Sequence, residues 1–226
     1  MEAWWKSGGD VKRVPLEMFR SRTVVIAVVV GFTFVIGFYG LPFVLSLYFQ
    51  QLRGLSSMAS GQAFVPMMAF SALLNPVAAR LVERTGRRAA LTAGLLLMIA
   101  GVAALAVLPA TAPVRLVALL MFPVGFGAPL VMPPLTAALL DDVPAHRAGT
   151  AGGLLDTARQ AGGALAVALF GALLADQAGF MHGLRTSLVI TVLLLLAAVA
   201  ATPLLKAGPR QVDVGAHDSA QESLRA

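Results

Sequence analysis

The 226 residues are 58% hydrophobic and only 12% charged, with a formal net charge of +6 and a mean hydropathy of +0.82. Soluble domains carry about 25% charged residues, so this composition excludes an ordinary water-soluble globular class. There is no cysteine, hence no disulfide framework and no Cys-ligated metal site.

A hydrocarbon core about 30 Å thick needs roughly 20 apolar residues per helix. Six stretches meet that length: Thr23–Tyr48, Ser57–Leu81, Ala89–Pro109, Pro113–Leu139, Gly149–Leu174 and Leu184–Leu205. Their Leu, Ala and Gly content suits helices rather than the alternating ten-residue strands of an outer-membrane barrel. The predicted fold class is an all-α membrane protein with six transmembrane helices in one bundle. Residues 1–22 read as a cytoplasmic N-terminal linker, 23–205 as the bundle and 206–226 as a polar, disordered cytoplasmic tail. The N-terminal segment is polar and charged, unlike a secretory signal, and Trp4 and Trp5 read either as interface anchors or as the edge of a preceding segment.

The first helix contains Gly37, Gly40 and Pro42, and Pro42 is expected to bend it rather than end it. The second carries Pro66 and Pro76 and runs to a basic turn, Ala79-Arg80-Leu81-Val82-Glu83-Arg84-Thr85-Gly86-Arg87-Arg88. Gly86 permits a sharp reversal there, and Glu83 is placed to cap a nearby helix through its dipole. The third helix has no charge from Ala90 to Leu108 and reads as lipid-facing or scaffold. In the fourth, Pro123, Gly125, Gly127, Pro129, Pro133 and Pro134 fall close together. Such a helix is either a kinked packing element or a gating, cavity-lining one, because irregular backbone survives in lipid only under protein or beside water.

Charge placement sets an orientation. With the N-terminus inside, the cytoplasmic segments hold most of the Lys and Arg, and the outer loops hold only Arg53, Arg115 and Arg185. This is the positive-inside pattern. It accounts for the basicity without nucleic acid, and it places the chain in the cell (inner) membrane with both termini cytoplasmic. No catalytic constellation is present. His146, His182 and His217 lie in loops or tail, none spaced to share a metal, and there is no phosphate-binding loop. The chain is not expected to be an enzyme or to hold a cofactor.

The fifth helix carries the intramembrane polar group Asp156, Arg159 and Gln160. Asp156 and Arg159 are i,i+3 neighbours, and Arg159 falls roughly 15 Å from the helix start. A charge at that depth should face the bundle interior and be paired. Two roles are open: mutual neutralisation that pins the helix, or the lining of a solute cavity with proton relay. Gly149/Gly153, Ala158/Gly162 and Gly162/Ala166 stand four apart and would admit a neighbouring backbone. Helical faces make Phe38, Gln62, Met67, Phe126 and Pro133 the cavity candidates.

The basic turn resembles the loop motif of the major facilitator superfamily, Gly-x-Leu-Ala-Asp-Arg-x-Gly-Arg-Arg/Lys. Leu81, Arg84, Gly86, Arg87 and Arg88 match, while Ala79 stands for the first Gly and Glu83 for the Asp. The stretch from Leu41-Pro42 through Gln50, Gly54-Leu55-Ser56, Gly61 and Pro66 is similar to the first external hairpin in the C-terminal half of fourteen-helix drug:proton antiporters. Gly125-x-Gly127, Val131-Met132-Pro133-Pro134-Leu135-Thr136 and the run from Arg147 to Ala164 resemble that family's later signature, with Asp156 where Asn is common. The resemblance implies one half of such a transporter: proton-driven efflux of small amphipathic compounds, with a missing N-terminal half or self-association supplying the second wall. It also implies that Met1 is an internal start, a split gene or a truncated gene model. A non-transporting fragment or assembly partner, and an uptake transporter of the same superfamily, are the alternatives.

Overall fold

A computed structural model describes residues 21–176 and 179–205. Among them are eight α-helices: α1 (Arg22–Leu47), α2 (Ser57–Leu73), α3 (Asn75–Thr85), α4 (Arg87–Ala106), α5 (Val114–Leu120), α6 (Phe122–Asp141), α7 (Ala148–Leu173) and α8 (Phe180–Ala201). The linker up to residue 20, Trp4 and Trp5 included, and the tail from 206 lie outside the described residues. Four segments are long and apolar enough to cross a membrane: Arg22–Leu52, Arg87–Ala106, Val114–Asp141 and Phe180–Leu204. The α2–α3 pair makes a fifth if taken as one bent span. The sixth rod, α7, is as long as α1 at 26 residues, but its Asp156-to-Gln160 stretch lowers its hydropathy.

The helix starts follow local chemistry. Ser21 caps α1 by accepting from the Val24 amide, and Ser56 caps α2 by accepting from the Ala59 amide at 3.2 Å. Pro42 sits inside α1 without ending it, and the helix widens into a π turn at Tyr48–Leu52.

The second span is not one rod. It breaks at Leu74 and bends by 49°. Pro76 has no amide to offer the preceding turn, and its ring crowds that turn's carbonyls. The Asn75 side-chain amide supplies the missing donor, reaching the Ser71 carbonyl at 3.2 Å and that of Ala72 at 3.5 Å. The fourth span also divides, but at Met121, ahead of the proline cluster; α6 runs unbroken through Pro129, Pro133 and Pro134.

Of the two readings of the charge-free third span, lipid-facing or scaffold, the packing fits scaffold. As α4 it packs most extensively against α6 and also against α8, burying Leu91, Leu95, Met98 and Val102. Apolarity alone does not separate core from lipid contact in a membrane, because lipid tails are as apolar as Leu. The contact is made by glycines: a Cβ on Gly94 would lie 2.8 Å from the Gly127 carbonyl oxygen, and one on Gly127 would lie 2.5 Å from that of Gly94. α1 and α7 form the second extensive pair, running in the same direction, with Gly162 against the Phe32 carbonyl and Gly40 against Phe170. A Cβ added at Gly149, Gly152 or Gly153, by contrast, would meet no neighbouring element within 4 Å, so the predicted close packing belongs to the later part of α7. Among the helices of 17 residues or more, α2 and α7 are the least enclosed, burying only three and five residues.

Candidate functional site: the basic hinge and the polar flank of α7

The basic turn is almost wholly helical. α3 runs to Thr85, α4 starts at Arg87, and the reversal rests on Gly86 alone, with φ 86° and ψ 157°. That backbone region belongs essentially to glycine. Glu83, Arg84 and Arg88 are exposed and Arg87 is half-buried. Arg87 pairs with Asp141 at the end of α6, and Arg88 donates to the Leu205 carbonyl just past α8. Ser21, capping α1, donates to Asp142. The start of α4 is thereby tied to the ends of two neighbours and the start of α1 to one of them. Arg87 offsets the carboxylate of Asp141, which stands at the negative end of the α6 dipole. Glu83 has no hydrogen-bond or ion-pair partner among the described residues. Sequence reading did not single out Asp141; 54 residues separate it from Arg87.

On α7, Arg159 Nη1 lies 3.5 Å from Asp156 Oδ1, and the Gln160 amide donates to Asp156 Oδ2 at 2.9 Å. The three residues form one group, yet not in the bundle interior. The Asp156 side chain is 59% exposed and that of Arg159 30%. The Arg159 stem passes close to Gly31 of α1, and its buried Nε has no partner among the described residues. Asp156 lies eight residues beyond Ala148, about 12 Å along a helix about 39 Å long.

The cavity candidates differ in exposure. Phe38 is half-buried, stacked on Phe34 at 5.4 Å and edge-on to Tyr39. Gln62 and Pro133 are exposed and Phe126 is half-buried. Met67 is fully buried, with its backbone carbonyl against Gly125, and is therefore an α2–α6 packing residue rather than a cavity wall. The cavity reading took it for a lining residue because period alone does not say which neighbour a helical face meets.

The family model described as the Major Facilitator Superfamily matches residues 5–167. The chain belongs to this superfamily. It is 33% identical over 174 residues to a methylenomycin A resistance protein of Streptomyces coelicolor, an alignment covering 77% of this chain and 37% of that one. To a tetracenomycin C resistance and export protein of Streptomyces glaucescens it is 31% identical, covering 74% and 31%. The chain thus spans about a third of the length of these curated relatives. A crystal structure of a POT peptide transporter with sulfate superposes at a TM-score of 0.68 and 17% identity, over 89% of this chain and 43% of that one. The architecture is that of half a major facilitator fold, in an integral membrane protein.

Proposed function

We propose that this chain is the C-terminal bundle of a fourteen-helix secondary transporter that exports small amphipathic molecules at the expense of the proton gradient. It sits in the cell membrane with both termini cytoplasmic and works with a second bundle. The observation that carries this reading is the exposed carboxylate of Asp156. A charge about 12 Å into a spanning helix costs about 2.5–3.5 kcal/mol against lipid, so the open flank of α7 faces water or protein. A second bundle closing over α2 and α7, with solvent between, satisfies that demand. Rocking of two such bundles then alternates access to the enclosed volume. The relatives' names, resistance and export, support efflux. The Arg87–Asp141 and Arg88–Leu205 ties keep the cytoplasmic ends of this bundle moving as one body.

The test is reconstitution in proteoliposomes with an imposed proton gradient and a fluorescent amphiphile as cargo. The purified chain alone should move no dye above empty vesicles. Together with the N-terminal bundle of a related exporter, it should move dye, and collapsing the gradient should stop it. Gradient-driven transport by the monomeric chain alone sinks the partner requirement. Transport indifferent to the gradient sinks proton coupling.

A further inference from the structure

At the end of the bundle opposite Gly86, the cations converge on one turn. Pro109–Pro113 joins α4 to α5, and three donors hold it: Tyr48 Oη and Arg53 Nη1 each reach the Ala110 carbonyl at 3.0 Å, and Arg185 Nη2 reaches that of Leu108 at 3.4 Å. Arg115, exposed, follows two residues after the turn, at the start of α5. Among the described residues these are all the Lys and Arg at this end of the bundle. The carboxylate nearby in sequence, Asp176, already has a partner.

Behind the turn lies a cleft between α1, α4, α5 and α8, lined by Leu45, Tyr48, Leu105, Val117, Met181 and Leu184 and continued by Leu108 and Pro109 to the turn itself. It is a shallow groove open on one side, about 260 Å³ counting that open side. The one polar group in its lining, the Tyr48 hydroxyl, is used on Ala110. The groove is apolar and suits part of an acyl chain lying along it, and the Arg53 and Arg185 guanidiniums bonded to the turn at its end suit an anion. Each guanidinium has five N–H donors, so Arg53 and Arg185 keep most of theirs after bonding the turn.

We propose that this end of the bundle is a binding site for a single anionic phospholipid, with the phosphodiester on Arg53, Arg185 and Arg115 and part of one acyl chain in the cleft. On the orientation proposed above it is an outer-leaflet lipid; the binding itself does not depend on that orientation. The chain leaves one apolar medium for another and gains little. The cleft seats the lipid, and selectivity comes from the arginines, at roughly fivefold per guanidinium. Bound there, the lipid links α1, α4, α5 and α8 at their shared end.

The experiment is native mass spectrometry of the purified full chain in detergent, titrated with dioleoylphosphatidylglycerol or dioleoylphosphatidylcholine. One phosphatidylglycerol should be retained in clear preference to phosphatidylcholine. Arg115→Gln, which touches no bond of the turn, should reduce the preference about fivefold. Arg53→Gln with Arg185→Gln should reduce it about twenty-fivefold, and Met181→Trp, filling the cleft, should lower retention of both lipids. Arg80→Gln with Arg84→Gln, at the opposite end, should change nothing. Equal retention of the two lipids overturns the site. So does an equal loss in the Arg80/Arg84 pair, which marks diffuse charge attraction, or full displacement by glycerophosphoglycerol, which has the head group and no chains. Each readout is independent of transport, so failure here leaves the proposed function standing.

Discussion

Asp156 and Arg159 give the residue-scale question its sharpest form. Each neutralises the other on α7, and Gln160 adds a donor to the carboxylate. Removing one partner leaves an uncompensated charge at depth, whereas removing both leaves none. Arg159→Ala and Asp156→Ala are each expected to lower the folded yield and melting temperature, and the double change to cost less than the sum. A coupling of about 0.5–3 kcal/mol is the range for such neighbours. Asp156→Asn should be milder than Asp156→Ala, because the amide oxygen can still accept from Gln160 and keeps a polar atom beside Arg159. Additive penalties in a double-mutant cycle would show that the pair does not act as a unit. The two residues and Gln160 were visible in the sequence, as was the need to pair them. Their exposure was not, because the rule that buries intramembrane charge is satisfied by any protein or water, including a bundle this chain does not contain. The glycines divide the same way. Gly94→Val drives a side chain onto the Gly127 carbonyl and should cost about 1–3 kcal/mol or more, while Gly149→Ala meets nothing and should leave the melting temperature unchanged or raise it.

The break at Leu74 shows why element ends were harder to read than elements. Pro42, Pro66, Pro129, Pro133 and Pro134 all lie inside unbroken helices, so proline in an apolar run does not by itself announce a stop. What distinguishes Pro76 is the Asn75 amide beside it, which satisfies the carbonyls and so stabilises the opened geometry. Asn75→Ala should destabilise the wild-type bundle by about 0.5–1.5 kcal/mol, the net worth of an exposed hydrogen bond. In a Pro76→Ala background, where an amide is restored, the same change should be nearly neutral. Equal penalties in both backgrounds would separate Asn75 from the bend. The hinge at Gly86 was legible as a turn, but its length was not: the charged residues around it looked like loop and are helical. α3 tolerates them because it segregates polar from apolar residues far more strongly than the long spans do. Gly86→Ala is expected to cost about 1–3 kcal/mol of backbone strain, read as a lower melting temperature with the Arg87–Asp141 pair loosened.

For the whole molecule, a half-fold that leaves α2 and α7 open accounts for features no single helix explains: the unmet glycines at the start of α7, the exposed Gln62 and Pro133, and the charge on Asp156. All of these lose their anomaly if a second bundle covers that flank. The orientation of the bundle in the membrane is testable on the native sequence, which has no cysteine to remove. The cytoplasmic side should hold the Gly86 hinge, because Arg80, Arg84, Arg87, Arg88 and Arg147 collect at that end against Arg53, Arg115 and Arg185 at the other. A cysteine at Ser57, the exposed first residue of α2, should react with a membrane-impermeant maleimide added to intact cells. One at Arg84 should react only after the membrane is opened; Arg84 is the better probe than Arg87, whose replacement also removes the tie to Asp141. The reverse pattern would invert the bundle. It would put the five arginines outside against the charge rule, and it would move the proposed lipid site from the outer leaflet to the inner one without altering its chemistry.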